Sequence, residues 1–288
     1  MSDNSRFFAC IMAGGSGERF WPMSRQRSPK QLTKLFGSTT LLEDTVRRLD
    51  GVVRPENIFV LTNQVQLAAT RAALPMLSPE QIVAEPAKRD TGPAAALAVA
   101  LVRSRDPKAA MALLSADALI HDGKRAGQQV GAALARAMQT DALITFGIPP
   151  THPATGFGYL EMAAESARGG DGTVFRHVKR FVEKPDSETA ARYVQSKNYS
   201  WNAGMFVWRV ESFLSEAERN APTLAKFIRE FPVAHPTAGS GQQRAPGTRS
   251  AAALYIEERF ATLEPKVSLD YAIMEKAAAV EAVVAEFD

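Results

Sequence analysis

The residues best suited to chemistry stand near the N-terminus. There the apolar run Phe8–Ala13 breaks into Gly14-Gly15-Ser16-Gly17-Glu18-Arg19 and continues through Phe20-Trp21-Pro22 to Ser28-Pro29-Lys30-Gln31. A short buried strand that ends in glycines brings backbone N–H groups to one point and lets a ligand approach the chain closely. A polyphosphate suits such a loop best. Arg19 and Lys30 flank it in sequence and supply the cationic donors that amides alone cannot. The spacing excludes two common loops of this kind. G-x-G-x-x-G fails for want of a third glycine, and G-x-x-x-x-G-K-[ST] fails because Lys30 lies too far on and is followed by Gln31.

The elements that must hold this loop follow from hydrophobic period. Helical spacing over Leu41–Asp50 leads to a compact apolar run, Asn57–Thr62, which opens a βαβ unit. The alternation continues with helix Gln64–Leu74, strand Gln81–Ala84, helix Thr91–Arg103, strand Ala110–Leu114, helix Gly123–Thr140 and strand Ala142–Gly147. The fold class predicted is α/β and Rossmann-like, with a mostly parallel mixed sheet covered by helices on both faces and ligands at the carboxyl ends of the strands. After Pro149-Pro150 the pattern holds less helix. Gly156–Glu161, Val174–Glu183 and Gly204–Arg209 are predicted as strands and Ser187–Ser196 as a helix. Glu211–Phe231 should form two helical segments parted by Pro222. Val233–Ala253 has loop composition, Ser268–Lys276 is predicted as a helix and Glu281–Glu286 as a strand.

Composition narrows the class of partner. The 288 residues are 45% hydrophobic and 23% charged, with a net charge of +3. Lys and Arg are scattered along the chain, which favours anionic small molecules and argues against nucleic acid. The one cysteine, Cys10, falls within the first strand and reads as a buried apolar residue. The longest small-apolar run, Gly92–Val102, is far below the ~20 residues that cross a bilayer. The N-terminus has no signal-peptide pattern, so no membrane partner and a cytoplasmic location are expected. The histidines His121, His152, His177 and His235 show no metal-ligand spacing.

The segment Ile11–Arg25 followed by Ser28-Pro29-Lys30-Gln31 closely resembles the signature of the mannose-1-phosphate guanylyltransferases, a branch of the sugar-nucleotide pyrophosphorylases. The resemblance recurs in order along the chain. Glu85–Ala94 is similar to the family's E-P-x-x-R-N-T-A-P-A and Leu114-Ser115-Ala116-Asp117 to its L-P-A-D. Gly156–Glu161, Phe181–Pro185, Trp201–Phe206 and Ser268–Ala272 match further family segments. It implies a single nucleotidyltransferase domain over residues 1–288, of nucleotide-diphospho-sugar transferase type. A nucleotide-binding part would cover about 1–150 and a sugar-phosphate-binding part about 151–288, without the family's C-terminal extension.

The activity implied is transfer of GMP from GTP to mannose 1-phosphate, giving GDP-mannose and pyrophosphate with magnesium (Mg2+) as cofactor. A phosphate oxygen is already a competent nucleophile, so alignment, charge neutralisation and a metal suffice. The resemblance assigns Arg19 and Lys30 to the β- and γ-phosphates, and Ala13, Gly14, Gly15, Ser16 and Gly17 to nucleotide contacts. Asp117, expected at the carboxyl end of a central strand, is assigned to the metal. Arg89 and Asp90 are candidates for reading the base, although Asp90 also suits an N-cap before Thr91. Gly156, Glu183, Lys184 and Asn202 are candidates for the sugar phosphate, although Glu183 and Lys184 would look the same as a surface ion pair.

Four departures from the family pattern bear on the site: Ser115 for Pro, Ala118 for His, Asp90 for Asn and Gly92 for Ala. The family's second metal aspartate, in W-x-D-V-G, is missing from the sequence, and Asp270 is a weak candidate in its place. Weakened metal binding is the corresponding expectation. A nucleotide-binding sensor subunit and a pyrophosphorylase of other base or sugar choice stand as alternatives, and monomer and homodimer are both open.

Overall fold

The computed structural model describes residues 4–15, 29–34, 37–233, 249–264 and 266–287. Among them, nine strands form one sheet: β1 (Phe7–Met12), β2 (Ile58–Asn63), β3 (Ile82–Glu85), β4 (Ala110–Ser115), β5 (Leu143–Ile148), β6 (Gly158–Arg168), β7 (Val174–Glu183), β8 (Tyr199–Arg209) and β9 (Val280–Val284). Their order is β3-β2-β1-β4-β8-β5-β9-β7-β6. Pairings among the first four strands are parallel, as is β5 with β9. Pairings that involve β8, β6 or β7 are antiparallel.

The sheet is therefore mixed in a graded way. The N-terminal strands are short continuous apolar runs, as a sheet buried on both faces requires. The later strands carry polar residues on an exposed side, and a further β6–β8 pairing closes β8, β5, β9, β7 and β6 into a ring.

Helices cover both faces. On one, α3 (Thr91–Arg105) packs with α6 (Val210–Asn220), α7 (Pro222–Glu230) and α8 (Ala251–Arg259) over Phe59, Met111, Leu113 and Trp208. Residues Gly92 through Val102 of α3 are all buried, so an Ala-rich helix apolar on every side lies wholly inside the protein. On the other, α1 (Leu41–Arg47) and α4 (Gly123–Ala137) pack over Ile11, Val60, Ala112 and Phe146. Two further helices, α2 (Leu67–Ala73) and α5 (Ser187–Ser196), lie beside β3 and β8. Cys10 is fully buried, and burial pushes its thiol well above the ordinary range, so it is an inert core residue.

Several elements differ from expectation for local reasons. Helix α2 starts at Leu67 rather than Gln64, because Asn63 Oδ1 accepts the Gln66 N–H at 2.9 Å and forms a turn first. Strand β8 begins at Tyr199 rather than Gly204, its period interrupted by a register shift opposite Thr145–Gly147. Strand β6 runs on to Arg168 as one arm of a hairpin with β7. The expected helix Ser268–Lys276 is a single π-helical turn, Asp270–Met274, in which Glu275 N–H bonds to Asp270 C=O at 3.0 Å. The expected loop Val233–Ala253 gives way to α8 at Ala251, where Ser250 Oγ accepts the Ala253 N–H at 3.1 Å. Residues 234–248 of that stretch lie outside the described residues. Among the described residues no helix is long and apolar enough to cross a membrane.

Candidate active site

Because β1, β2, β3 and β4 are parallel, their carboxyl ends open on the same edge. In register, Met12 stands beside both Leu61 and Ser115, and Asn63 beside Glu85. The residues that leave these strands, Gly14, Asn63, Glu85 and Asp117, are thereby gathered at one edge. Beside Gly14, Asn63 and Glu85 lies a cavity of about 380 Å³, within the size range of small-ligand pockets. Its apolar wall is Met12, Leu61, Val65, Ala87 and Ala94, and its polar wall is Gly14, Gly15, Asn63, Gln66, Glu85, Arg89, Asp90 and Thr91.

The start of the glycine loop is clamped by side-chain amides. Gln31 Nε2 donates to Ala13 C=O at 2.8 Å, to Gly15 C=O at 3.1 Å and to Gln66 Oε1 at 3.1 Å. Asn63 Nδ2 donates to Gly14 C=O at 3.0 Å. A Cβ on Gly14 would stand 3.1 Å from Glu85 Oε2, so the loop backbone and that carboxylate are close neighbours. Burial raises the Glu85 pKa to about 7. Lys30 lies in a short 3₁₀ turn directly before Gln31, at the mouth of the same loop. Ser16, Gly17 and Arg19 lie outside the described residues.

Arg89 lines the cavity, and its Nη1 pairs with Glu264 Oε1 at 3.0 Å. Its Nε is buried and has no hydrogen-bond partner among the described residues. Asp90 also lines the cavity and is the N-cap of α3, its Oδ1 accepting the Thr91 N–H at 2.8 Å. One carboxylate oxygen thus caps the helix end.

Asp117 follows β4 by two residues, and Ala116 N–H bonds to Met12 C=O at 3.1 Å, which holds this turn against the glycine loop. Ser115 Oγ donates to Asp117 Oδ1 and orients the carboxylate, which is exposed. Among the described residues no three His, Cys, Asp or Glu side chains are grouped to hold a metal by themselves. One oriented carboxylate beside the glycine loop still fits Mg2+, which is commonly held by one or two carboxylates together with substrate phosphates.

The second group of candidates gathers where β7, β8 and the π turn meet. Glu183 Oε1 accepts from Lys184 Nζ at 2.6 Å. Lys184 has a left-handed backbone (φ 46°), uncommon for a residue with a side chain, and its N–H bonds to Phe157 C=O at 3.2 Å. That bond brings exposed Gly156 to the same mouth. Asn202 Nδ2 donates to Asp270 Oδ1 at 3.2 Å, and Thr145 Oγ1 donates to Asn202 Oδ1 at 2.8 Å. Burial and the neighbouring Glu183 raise the Asp270 pKa to about 6, while the bond to Glu183 holds Lys184 above its usual range. Asp270 is thereby bonded to one sugar-phosphate candidate, Asn202, and stands near another, Glu183. His152 packs edge-on to Trp201 with centroids 4.9 Å apart.

Glu85, Gln31 and Asn63 are the site residues that motif reading did not single out. Glu85 directly follows the expected strand Gln81–Ala84 and ends the observed β3, and a carboxylate at the end of a parallel strand is a signal that could have found it.

The sequence profile of nucleotidyl transferases matches residues 8–243. The chain is 36% identical over 289 residues to the mannose-1-phosphate guanylyltransferase of Escherichia coli (strain K12), covering 99% of this chain and 57% of that protein. It is 34% identical over 279 residues to the xanthan biosynthesis protein XanB of Xanthomonas campestris pv. campestris (strain B100), covering 96% and 55%. It therefore spans about half the length of the curated relatives it matches. Among solved structures, mannose-1-phosphate geranyltransferase from Thermus thermophilus superposes with a TM-score of 0.80 at 30% identity, covering 98% of this chain and 75% of that one.

Proposed function

From a chain that belongs to the nucleotidyl transferase family, we infer transfer of GMP from GTP to mannose 1-phosphate, with release of pyrophosphate. The observation that carries the choice of guanine is Glu85. Guanine presents N1–H and N2–H side by side, and an ionised carboxylate accepts from both. The Glu85 carboxylate stands in the cavity wall within reach of the Gly14 backbone. Adenine and the pyrimidines lack this pair of donors, and a buried acceptor left unpaired discriminates strongly against them. The names of the relatives support the same nucleotide and sugar.

The rest of the reaction is alignment and charge. A phosphate oxygen of mannose 1-phosphate attacks the α-phosphorus of GTP, the bond from that phosphorus to the oxygen bridging to the β-phosphate breaks, and pyrophosphate departs with the electron pair. No protein base is needed. Gly14 and Gly15 give the nucleotide close backbone approach, and Arg19 and Lys30 neutralise its phosphates. Lys184 meets the sugar phosphate, while Glu183, Asn202 and the Gly156 backbone meet the sugar. Asp117 would hold Mg2+ together with phosphate oxygens, supplying charge neutralisation at the reacting phosphates. In this reading residues 1–150 serve mainly the nucleotide and 151–288 mainly the sugar phosphate.

The test is a pyrophosphate-release assay over GTP, ATP, UTP and dTTP against mannose 1-phosphate and glucose 1-phosphate. The GTP and mannose 1-phosphate pair should exceed every other by at least about tenfold, the factor that one unpaired buried acceptor commands. A different preferred pair would overturn the assignment.

A further inference from the structure

Between the cavity and the sugar-phosphate candidates runs one short piece of chain. Glu264 and residues 266–270 are fastened to residues 89–92, at the start of α3, at three points. Gly92 N–H donates to Val267 C=O at 3.0 Å, and Leu269 N–H donates to Thr91 Oγ1 at 2.9 Å. The Glu264 carboxylate takes Arg89 Nη1 on one oxygen at 3.0 Å and the Lys266 N–H on the other at 2.8 Å. The fit at Gly92 is close: a Cβ there would lie 2.6 Å from Val267 O, against backbone that has no flexible end to yield. Beyond the fastening, Leu269, Ala272, Ile273 and Met274 are buried in the core that α3 shares. The next residue after Leu269 is Asp270, which opens the π turn and accepts from Asn202 among the sugar-phosphate candidates.

The geometry is that of a strut. Its near end is built on residues 89–92, of which Arg89 and Thr91 line the nucleotide cavity. Its far end is a carboxylate among the sugar-phosphate candidates. The unpaired N–H groups of an α-helix's first turn usually go to a cap or to water. Here one goes to Val267, and the Thr91 hydroxyl is likewise spent on the strut. A π turn at the far end is the kind of backbone irregularity that recurs at functional sites.

We propose that Thr91 and Gly92 are positioning residues for the sugar phosphate, because the first turn of α3, acting through Val267 and Leu269, sets where Asp270 and Asn202 stand. This rests on the function inferred above. It gives the glycine at position 92 a specific task, since only a residue without Cβ allows Val267 to close on the helix end. Thr91 keeps its own cap from Asp90 when its hydroxyl is removed, so the helix start survives the change.

Steady-state kinetics of the wild-type chain and of Thr91→Val, Thr91→Ser and Gly92→Ala, with melting temperatures alongside, test the proposal. Thr91→Val should raise KM for mannose 1-phosphate about fivefold, the equivalent of one lost hydrogen bond, and by more than it raises KM for GTP. Thr91→Ser, which retains the hydroxyl, should restore the wild-type value. Gly92→Ala should move KM for the sugar phosphate in the same direction as Thr91→Val. Unchanged sugar-phosphate KM in Thr91→Val and Gly92→Ala, or both KM values rising together with a lowered melting temperature, overturns the strut while the reading of the site stands. A wild-type chain that releases no pyrophosphate from GTP and mannose 1-phosphate overturns the reading of the site and the strut with it.

Discussion

A carboxylate that reads guanine must be ionised to accept two hydrogen bonds, yet burial in the cavity wall holds the Glu85 pKa up at about 7. On the proposed reading of Glu85, GTP binding is pH-dependent. The empty site is mostly ionised at pH 8 and mostly protonated at pH 6, so GTP affinity by calorimetry should fall about tenfold between them. Glu85→Gln should bind GTP more weakly at pH 8, by about tenfold or more, and lose this dependence. Stability carries the opposite sign. The folded-state pKa lies above the ordinary 4.5, so the folded chain binds the extra proton, and stability from this group is full below about pH 4.5 and lost as pH rises through 7. Glu85→Gln should lack that loss in a melting series. A variant that keeps the wild-type pH dependence of GTP binding would remove Glu85 from base reading. The residues proposed to face the nucleotide stand out in sequence to different degrees. The glycine loop and Asp117 were picked out because strand, turn and carboxylate are contiguous in sequence. Glu85 directly follows an expected strand, but its place beside Gly14 shows only when three parallel strands are in register. Asp90 carried two readings in sequence, and the structure shows the cap, one oxygen accepting the Thr91 N–H.

Strand β9 and helix α4 are joined by a pair that sequence does not announce. Arg136 Nε and Nη2 donate to the two Glu281 oxygens at 2.9 and 2.8 Å, and the Glu281 side chain is only 2% exposed. Burial alone would push this carboxyl up, and the Arg136 fork overcomes it and holds Glu281 below its usual range. Its contribution to stability is therefore present above the unfolded value and lost as pH falls through the lowered folded one. Arg136→Met leaves a buried, unpaired carboxylate and should cost about 3 kcal/mol at pH 7 in urea unfolding, with the loss shrinking towards pH 5 as the carboxyl takes up a proton. An equal cost at both pH values would contradict this account. The strands and helices of the N-terminal half were legible because parallel strands buried on both faces leave continuous apolar runs. Residues 199–203 of β8, β6 beyond Glu161 and the π turn were not. A bulge, an exposed face and an i+5 bond each break the periods on which such reading depends.

The two portions of the chain assigned to nucleotide and sugar phosphate share one sheet: β8, from the later portion, lies between β4 and β5 of the earlier one. Sequence order shows the change of texture after Pro149-Pro150 but not this insertion, since it is set by pairing across distance. Its consequence is that Asn202, near the start of β8, is paired with Gly147 at the carboxyl end of β5, on the same side of the sheet as Asp117. Nucleotide and sugar candidates thus open on a common edge, where a phosphate oxygen of one substrate can meet the α-phosphorus of the other. The most direct test follows the α-phosphorus itself. With GTP labelled at the α-phosphate, mannose 1-phosphate and Mg2+, the label should appear in GDP-mannose and none in pyrophosphate. Label that stays in GTP, or passes only to GMP, would contradict the transfer at the centre of this account.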